Sequence, residues 1–288
     1  MTDFAEVRGW VPQPDPHGHK DTYGRVLVIG VSLRYSGAPL LAATAAARTG
    51  AGVVTLALPR TLALAIAGRV PELVYLPLDE SAPGVVDASA ARQIASGVEE
   101  GRIRALVVGP GFPSEPATDA FLFGVLARTR VAAVVDAGAL NILARTPTWA
   151  SRLPERAVLT PHDGEGRRLG GAAVGTDRVG WAAQHAAEWR RVVVLKGPCT
   201  VVAAPDGRAF VHDRPNAALS TGGTGDALSG AIGALAASGL EPFEAACVGV
   251  ALQGEAGELM AREVGIRGAL ASDLVERLPR AMSALRDG

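Results

Sequence analysis

Short apolar runs alternate with helix-forming segments along nearly the whole chain, and this alternation limits the fold more than any other feature. Residues 25–30 form the first run and end in a glycine, as is typical of a strand buried on both faces of a parallel sheet. Further strands are predicted at 53–58, 73–76, 105–109, 132–136, 157–160 and 192–195, with helices at 38–49, 62–67, 88–100, 117–129 and 179–190. This order predicts an α/β fold, with a mostly parallel central sheet and helices on both faces.

The last third of the chain continues the same pattern. Residues 200–204 and 208–212 flank a Pro-Asp-Gly turn and predict a β-hairpin. Three helices, at 227–237, 242–263 and 272–285, follow it. Because no linker divides the alternation, we predict a single domain over residues 25–288. Residues 1–24 are rich in proline, glycine and histidine, which predicts an irregular N-terminal arm.

Composition excludes several classes of partner. The 288 residues carry a formal net charge of −1 with no block of lysine or arginine, which argues against nucleic-acid and membrane-surface binding. Cys199 and Cys247, the two cysteines, have neither a metal-type spacing nor a disulfide framework. The chain opens without a signal-peptide pattern and has no apolar run long enough to cross a bilayer. We therefore expect a cytoplasmic protein.

The stretch Thr221-Gly-Gly-Thr-Gly-Asp226 precedes strong helix formers and predicts a glycine turn that opens a helix. The unpaired amides and the positive dipole end of a helix start favour a bound anion, most commonly phosphate. A carboxylate would repel that phosphate, so Asp226 fits better as a base that takes a proton from an attacking hydroxyl. The simpler interpretation is that Asp226 caps the helix.

Polar residues and glycines collect where the predicted strands end. They are Gly30 with Ser32, Gly109 with Gly111, Asp136, Thr160 with His162, and Lys196 with Gly197. The carboxyl ends of parallel strands form the ligand-binding edge of such sheets, so we predict one site there. The sequence has no P-loop and no Rossmann glycine pattern after the first strand. Zinc-protease and α/β-hydrolase motifs are also missing from it.

Six motifs follow one another in a family-specific order. They are Gly30-Val31-Ser32, Tyr35-Ser36-Gly37-Ala38, Gly109-Pro110-Gly111, Thr160-Pro161-His162 with Glu165, Lys196-Gly197-Pro198-Cys199-Thr200 and the glycine turn. In this order the chain resembles the ADP/ATP-dependent NAD(P)H-hydrate dehydratases of the ribokinase-like superfamily. The resemblance implies a repair enzyme for the S epimer of hydrated NADH or NADPH. ADP or ATP would phosphorylate the ring hydroxyl, and the ring nitrogen would then expel phosphate.

The resemblance also implies roles for individual residues. Asp226 would be the base on the substrate hydroxyl, and the amides of Gly223, Thr224 and Gly225 would stabilise the transferred phosphoryl group. The adenine nucleotide would be bound by Lys196, Gly197, Pro198, Cys199, Thr200 and Gly225. The hydrated dinucleotide would contact Ala38, Gly111, His162 and Asp226. Glu165 would hold Mg²⁺ through water, and the protein would form a homo-oligomer, in this family often a tetramer.

Some features leave alternatives open. Val31 stands where the family usually has glycine, and Gly138 stands where a second acidic residue often follows Asp136. His162 could be a solvated loop residue, and Glu165 could be a first-turn glutamate favoured by the helix dipole. A kinase for a vitamin precursor would share the turn and the base. A nucleotide-binding regulator without catalysis is the third possibility, against which Asp226 argues.

Overall fold

The computed structural model describes residues 1–99, 102–113 and 115–287. Its strands are β1 (Arg25–Ile29), β2 (Val53–Pro59), β3 (Val74–Leu78), β4 (Glu80–Ala82), β5 (Val85–Val86), β6 (Ala105–Val108), β7 (Ala132–Val135), β8 (Ala157–Leu159), β9 (Val192–Leu195), β10 (Thr200–Ala203) and β11 (Ala209–His212). Its α-helices are α1 (Phe4–Gly9), α2 (Gly37–Arg48), α3 (Arg60–Ile66), α4 (Ala91–Glu99), α5 (Pro116–Leu126), α6 (Ala137–Ala144), α7 (Asp163–Gly170), α8 (Arg178–Trp189), α9 (Thr224–Ala237), α10 (Pro242–Glu263) and α11 (Ala271–Asp287).

Nine strands form one sheet in the order β11-β10-β9-β8-β7-β6-β1-β2-β3, and β4 pairs with β5 in a separate hairpin. Neighbouring strands of the large sheet are parallel except at β10, which is antiparallel to β9 and to β11. The predicted mostly parallel sheet in a single α/β domain is confirmed. The chain moves outward from β1 to β3 and then returns to place β6 on the other side of β1. Open α/β sheets bind ligands at such a reversal of strand order.

Each face of the sheet carries its own hydrophobic core. Val26 and Val28 of β1 pack into the core that contains α2, α3, α9, α10 and α11. Leu27 and Ile29 pack into the other core, which contains residues from α4 to α8. Because both faces of β1 are buried, its sequence is an uninterrupted apolar run rather than an alternating one. Among the described helices, none combines the length and apolar character needed to span a bilayer.

Small residues let α9 pack directly on its neighbours. A Cβ at Gly230 would lie 1.9 Å from the carbonyl oxygen of Ala42 in α2, and a Cβ at Gly233 would lie 2.5 Å from a methyl of Val107 in β6. A side chain at Gly230 would require the backbone of α2 to move. The glycine turn that opens α9 is therefore held at a fixed position relative to the sheet.

The N-terminal arm is not wholly irregular, which corrects the prediction for its first residues. Asp3 caps α1 by accepting a hydrogen bond from the Glu6 amide at 2.8 Å. The Phe4 ring lies 6.4 Å from the Phe210 ring of β11, and Val7 is buried. The six-residue helix escaped prediction because its stability comes from this long-range packing rather than from its length.

Several helices also differ from the prediction. The helices α6 and α7 were not predicted, and α9 begins at Thr224 rather than at residue 227. The predicted helix 88–100 begins as a 3₁₀ turn, Ala88–Ala90, before α4. Its last predicted residue, Glu100, lies outside the described residues.

Candidate active site

The glycine turn has a conformation that other residues would not readily adopt. Gly223 has a φ of 99° and precedes Thr224, the first residue of α9. The Thr224 hydroxyl donates to the carbonyl oxygen of Thr221 at 2.9 Å, and Gln253 of α10 donates to the Thr224 carbonyl oxygen at 2.7 Å. The first amides of a helix lack acceptors four residues earlier. The fixed turn therefore presents N–H groups and the positive end of the dipole to an anion.

A buried polar network joins this turn to two strand ends. The Nζ of Lys196, directly after β9, lies 2.7 Å from the Oδ1 of Asp136, directly after β7. The Oδ2 of Asp136 accepts a hydrogen bond from Ser229, whose hydroxyl lies 3.0 Å from the Gly225 carbonyl oxygen. Asp136 is 1% exposed and Ser229 is fully buried. The network therefore fixes the lysine relative to α9.

Lys196 places its charge beside the helix start. A Cβ at Gly225 would lie 3.2 Å from Lys196 Nζ, so the ammonium group lies against the turn. Burial opposes the charge, but the carboxylates of Asp136 and Glu165 outweigh it and raise the pKa of Lys196 above its usual value. A positive charge beside the amides that open a helix favours a bound phosphate.

Two carboxyl groups near Lys196 have pKa values shifted towards neutrality. Burial raises the pKa of Asp226 to about 7, and the charge of Asp136 adds to this increase while Lys196 opposes it. Burial also raises the pKa of Glu165 to about 7, against the attraction of Lys196, whose Nζ is 4.0 Å from Glu165 Oε2. A carboxyl group with a pKa near the working pH is well suited to accept and release a proton.

His162 and Glu165 cap α7 together. The Nδ1 of His162 accepts from the Gly164 amide at 3.0 Å, and Glu165 Oε2 accepts from the His162 amide at 3.0 Å. Partial burial, with Lys196 nearby, lowers the pKa of His162, so the ring is neutral at pH 7. Because Nδ1 accepts, the proton of the neutral ring is on Nε2, which lies 3.6 Å from Glu165 Oε1. The cap thus accounts for the His-x-x-Glu spacing without a ligand.

A cavity of about 420 Å³ opens beside Lys196 and the glycine turn. Four of the five residues in the predicted nucleotide loop line it, namely Lys196, Gly197, Pro198 and Thr200, together with Thr224 and Gly225. Cys199 is not among the lining residues, and its carbonyl oxygen accepts from Arg178 at 2.9 Å. The cavity therefore extends from the phosphate-type site across the β9–β10 turn.

The predicted substrate contacts Ala38 and Gly111 come together at the switch between β1 and β6. Gly111 has a φ of 74°, and a Cβ there would lie 2.8 Å from the carbonyl oxygen of Tyr35 and 3.1 Å from Pro39, which follows Ala38 in α2. His162 follows β8, two strands beyond β6 on the same edge. Gly111 thus lets the β6 loop approach the start of α2 closely.

Several lining residues were missed by the sequence argument. His212, Arg214, Asn216 and Gln253 line the cavity but belong to no motif at a strand end.

The missing second acid at Gly138 has a steric explanation, because a Cβ there would lie 2.2 Å from the Phe112 carbonyl oxygen. Any larger residue at position 138 would require the backbone at Phe112 to move.

The mostly parallel sheet carries a glycine turn that opens a helix, and a buried aspartate, at its carboxyl edge. A solved ribokinase-like protein of Enterococcus faecalis, 23% identical, shares this α/β fold with a TM-score of 0.84. A family model described as NAD(P)H-hydrate dehydratase matches residues 26–280. The chain therefore belongs to the NAD(P)H-hydrate dehydratase family.

Individual relatives agree with this assignment. The ADP-dependent (S)-NAD(P)H-hydrate dehydratase of Xanthomonas campestris is 37% identical over 96% of this chain and 94% of its own length. The bifunctional NAD(P)H-hydrate repair enzyme Nnr of Moorella thermoacetica is 40% identical over 98% of this chain and 54% of its own length. This chain thus spans about half the length of the bifunctional relatives. The crystal structure of ADP/ATP-dependent NAD(P)H-hydrate dehydratase from Bacillus subtilis with ATP and Mg²⁺ matches 98% of this chain and 97% of its own, with 32% identity and a TM-score of 0.82.

Proposed function

We propose that this chain dehydrates the S epimer of hydrated NADH or NADPH, using ADP or ATP as the phosphoryl donor. The observation that carries the proposal is the position of Asp226. It is a carboxyl group with a pKa of about 7, in the first turn of a helix whose N-terminal amides and neighbouring Lys196 favour phosphate. Relatives named for this reaction support the choice of substrate.

Asp226 acts first, by removing the proton from the hydroxyl group on the hydrated ring. The hydroxyl oxygen then forms a bond to the terminal phosphorus of ADP, while the bond between that phosphorus and the bridging oxygen breaks and AMP departs with the oxygen. Electrostatic stabilisation comes from the amides of Gly223, Thr224 and Gly225, at about 3 kcal/mol for each well-placed donor. The product of this step is a phosphate ester of the ring carbon.

Elimination follows on the same substrate. The lone pair of the ring nitrogen expels the phosphate as its carbon–oxygen bond breaks, and loss of a proton from the neighbouring carbon restores the double bond of reduced nicotinamide. The net reaction removes one water and consumes one phosphoanhydride. Lys196 remains protonated throughout, because its carboxylate neighbours raise its pKa, and it holds the nucleotide phosphates.

The residues present fit Mg²⁺ bound through water better than Mg²⁺ bound directly. The ammonium of Lys196 lies between the carboxylates of Asp136 and Glu165, and the described residues contain no group of three or more His, Cys, Asp or Glu side chains arranged for a metal ion. Glu165 would therefore hold the ion through water, as the family resemblance implies. When bound with the nucleotide, Mg²⁺ neutralises phosphate charge.

The choice of ADP rests on the relatives. The Xanthomonas relative is named for ADP, and the Bacillus protein for ADP or ATP. We propose ADP as the principal donor. A cytoplasmic location and a homo-oligomer, with a tetramer as one form, remain predictions from the sequence.

The direct test is to add chemically hydrated NADPH, with ADP or ATP and Mg²⁺, and to follow the return of reduced-nicotinamide absorbance. We expect recovery with ADP, together with one AMP for each NADPH formed. A stable phosphorylated alcohol instead of NADPH would favour the vitamin-precursor kinase. Tight ADP binding with no turnover of any hydroxylated acceptor would favour the regulator.

A further inference from the structure

Arg178, the first residue of α8, binds the backbone of the β9–β10 turn from outside the cavity wall. Its Nε donates to the Cys199 carbonyl oxygen at 2.9 Å, and its Nη2 donates to those of Lys196 at 2.9 Å and Leu195 at 3.3 Å. Its side chain is 15% exposed. A guanidinium group presents its donors in a rigid plane, so one side chain binds the carbonyl group that ends β9 and two carbonyl groups of the turn that follows.

The turn is built to accept this side chain. A Cβ at Gly197 would lie 2.6 Å from Arg178 Nη2, so the guanidinium packs directly against the glycine. On the other flank, the Thr200 hydroxyl contacts the Gly197 amide at 3.3 Å and the Gly197 carbonyl oxygen at 3.0 Å. Because Gly197 and Thr200 line the cavity, Arg178 supports the backbone that a nucleotide would touch.

The same guanidinium also reaches the neighbouring helix. Its Nη1 donates to Asp163 Oδ1 at 2.6 Å, and Asp163 is the first residue of α7, directly after His162. The Asp163 side chain is 57% exposed, so the ion pair itself contributes little stability. Its effect is geometric, since it links the start of α7 to the β9–β10 turn.

We propose that Arg178 is a positioning residue for the adenine nucleotide, acting through the backbone of Lys196, Gly197 and Cys199. Without it, the carbonyl oxygens of Leu195, Lys196 and Cys199 lose their guanidinium donor, and the β9–β10 turn loses its connection to α8. Nucleotide binding then includes the cost of ordering the turn. The inference rests on the proposed function in one respect, namely that the cavity takes ADP or ATP.

The test is calorimetric titration of the full chain with ADP, and separately with ATP, in the absence of dinucleotide. We expect Arg178→Met to weaken nucleotide binding at least about tenfold, the scale of one lost charge-assisted hydrogen bond. Arg178→Lys, which keeps the charge but not the planar fork, should fall between Arg178→Met and the parent. Arg156→Met is the matched control, since Arg156 pairs with Glu241 and precedes β8, at the opposite edge of the sheet.

Kinetics separate positioning from a general loss of structure. In the hydrate assay, Arg178→Met should raise the KM for ADP at least about tenfold and Arg178→Lys should raise it by less, while kcat and the KM for the hydrate change less than about threefold in both variants. Gly197→Ala, which places a methyl against the guanidinium, should weaken nucleotide binding in the parent and less in the Arg178→Met background, because both changes disturb the same contact.

The outcomes are distinguishable. Equal nucleotide affinity in the parent and both Arg178 variants would overturn this inference and leave the proposed function intact. Weaker binding in the variants, with no hydrate turnover by the parent, would support the inference and contradict the proposed function. Failure of the parent to bind either nucleotide would contradict both. If Arg178→Met does not fold, Arg178→Lys alone decides, and an unchanged KM for ADP would then overturn the inference.

Discussion

Lys196 and Asp136 are 60 positions apart in the chain, and their side chains form an ion pair of 2.7 Å at the carboxyl edge of the sheet. The pair joins the ends of β7 and β9. Ser229 connects its carboxylate to the helix that carries Asp226. The predicted phosphate-binding lysine is therefore connected, through Asp136 and Ser229, to the helix whose first turn carries the predicted base.

Replacing Lys196 tests the nucleotide end of this network. We expect Lys196→Ala to raise the KM for ADP by at least about tenfold and to lower kcat by less, because the lysine binds phosphate in the ground state as well as in the transition state. Steady-state kinetics at varied ADP will measure both values. A large fall in kcat with an unchanged KM would assign the lysine to the transition state instead.

Removing the charge of Asp136 should change the pH dependence of the reaction. Asp226 must be ionised to act as a base, so kcat/KM should fall as the pH drops below about 7. The negative charge of Asp136 raises the pKa of Asp226, so Asp136→Asn should move the acid limb of the profile down by roughly one pH unit.

The control for this pH profile is Asp119→Asn, which removes an acid that pairs with Arg145 elsewhere on the molecule. Its acid limb should coincide with that of the parent. An acid limb that stays in place in Asp136→Asn would show that Asp136 does not set the ionisation of the base.

The raised pKa of Asp226 also predicts a pH-dependent cost in stability. Its pKa is about 7 in the folded protein against an ordinary value of 3.8. The folded state therefore holds more protons between these pH values, and the free energy of unfolding falls as the pH rises through them. Asp226→Asn removes this loss. We expect its stability advantage over the parent to grow by roughly 2 kcal/mol between about pH 5 and about pH 8.

Urea unfolding of both proteins at the two pH values will measure this difference. An advantage that is the same at both values, or that shrinks towards alkaline pH, would contradict the raised pKa. The measurement also establishes that the variant is folded, which the activity comparison requires.

The sequence predicted the sheet well because its strands are local features. Both faces of β1 are buried, so a continuous apolar run of the right length marks the strand without knowledge of its partners. The same local argument located the glycine turn before α9, because a positive φ such as that of Gly223 leaves a glycine in the sequence. Lys196, too, was recognised from its place at the end of a strand.

What could not be predicted depends on contacts between distant residues. The pairing of Asp136 with Lys196 and Ser229 joins three separate segments. The hydrophobic pattern of the sequence does not reveal such a contact. The helix α7 has three glycines in eight residues, so its sequence does not show a helical pattern, and the cap from His162 and Glu165 defines it instead. The steric reason for Gly138 lies in the Phe112 backbone.

The most direct measurement is the rate at which Asp226→Asn restores NADPH from the hydrate with saturating ADP and Mg²⁺. The amide cannot take the hydroxyl proton, so we expect the rate to fall about 10³-fold, within the range for loss of a general base, while the dissociation constant for ADP stays within about threefold. A folded Asp226→Asn protein that turns over the hydrate as fast as its parent would contradict the assignment of Asp226 as the base.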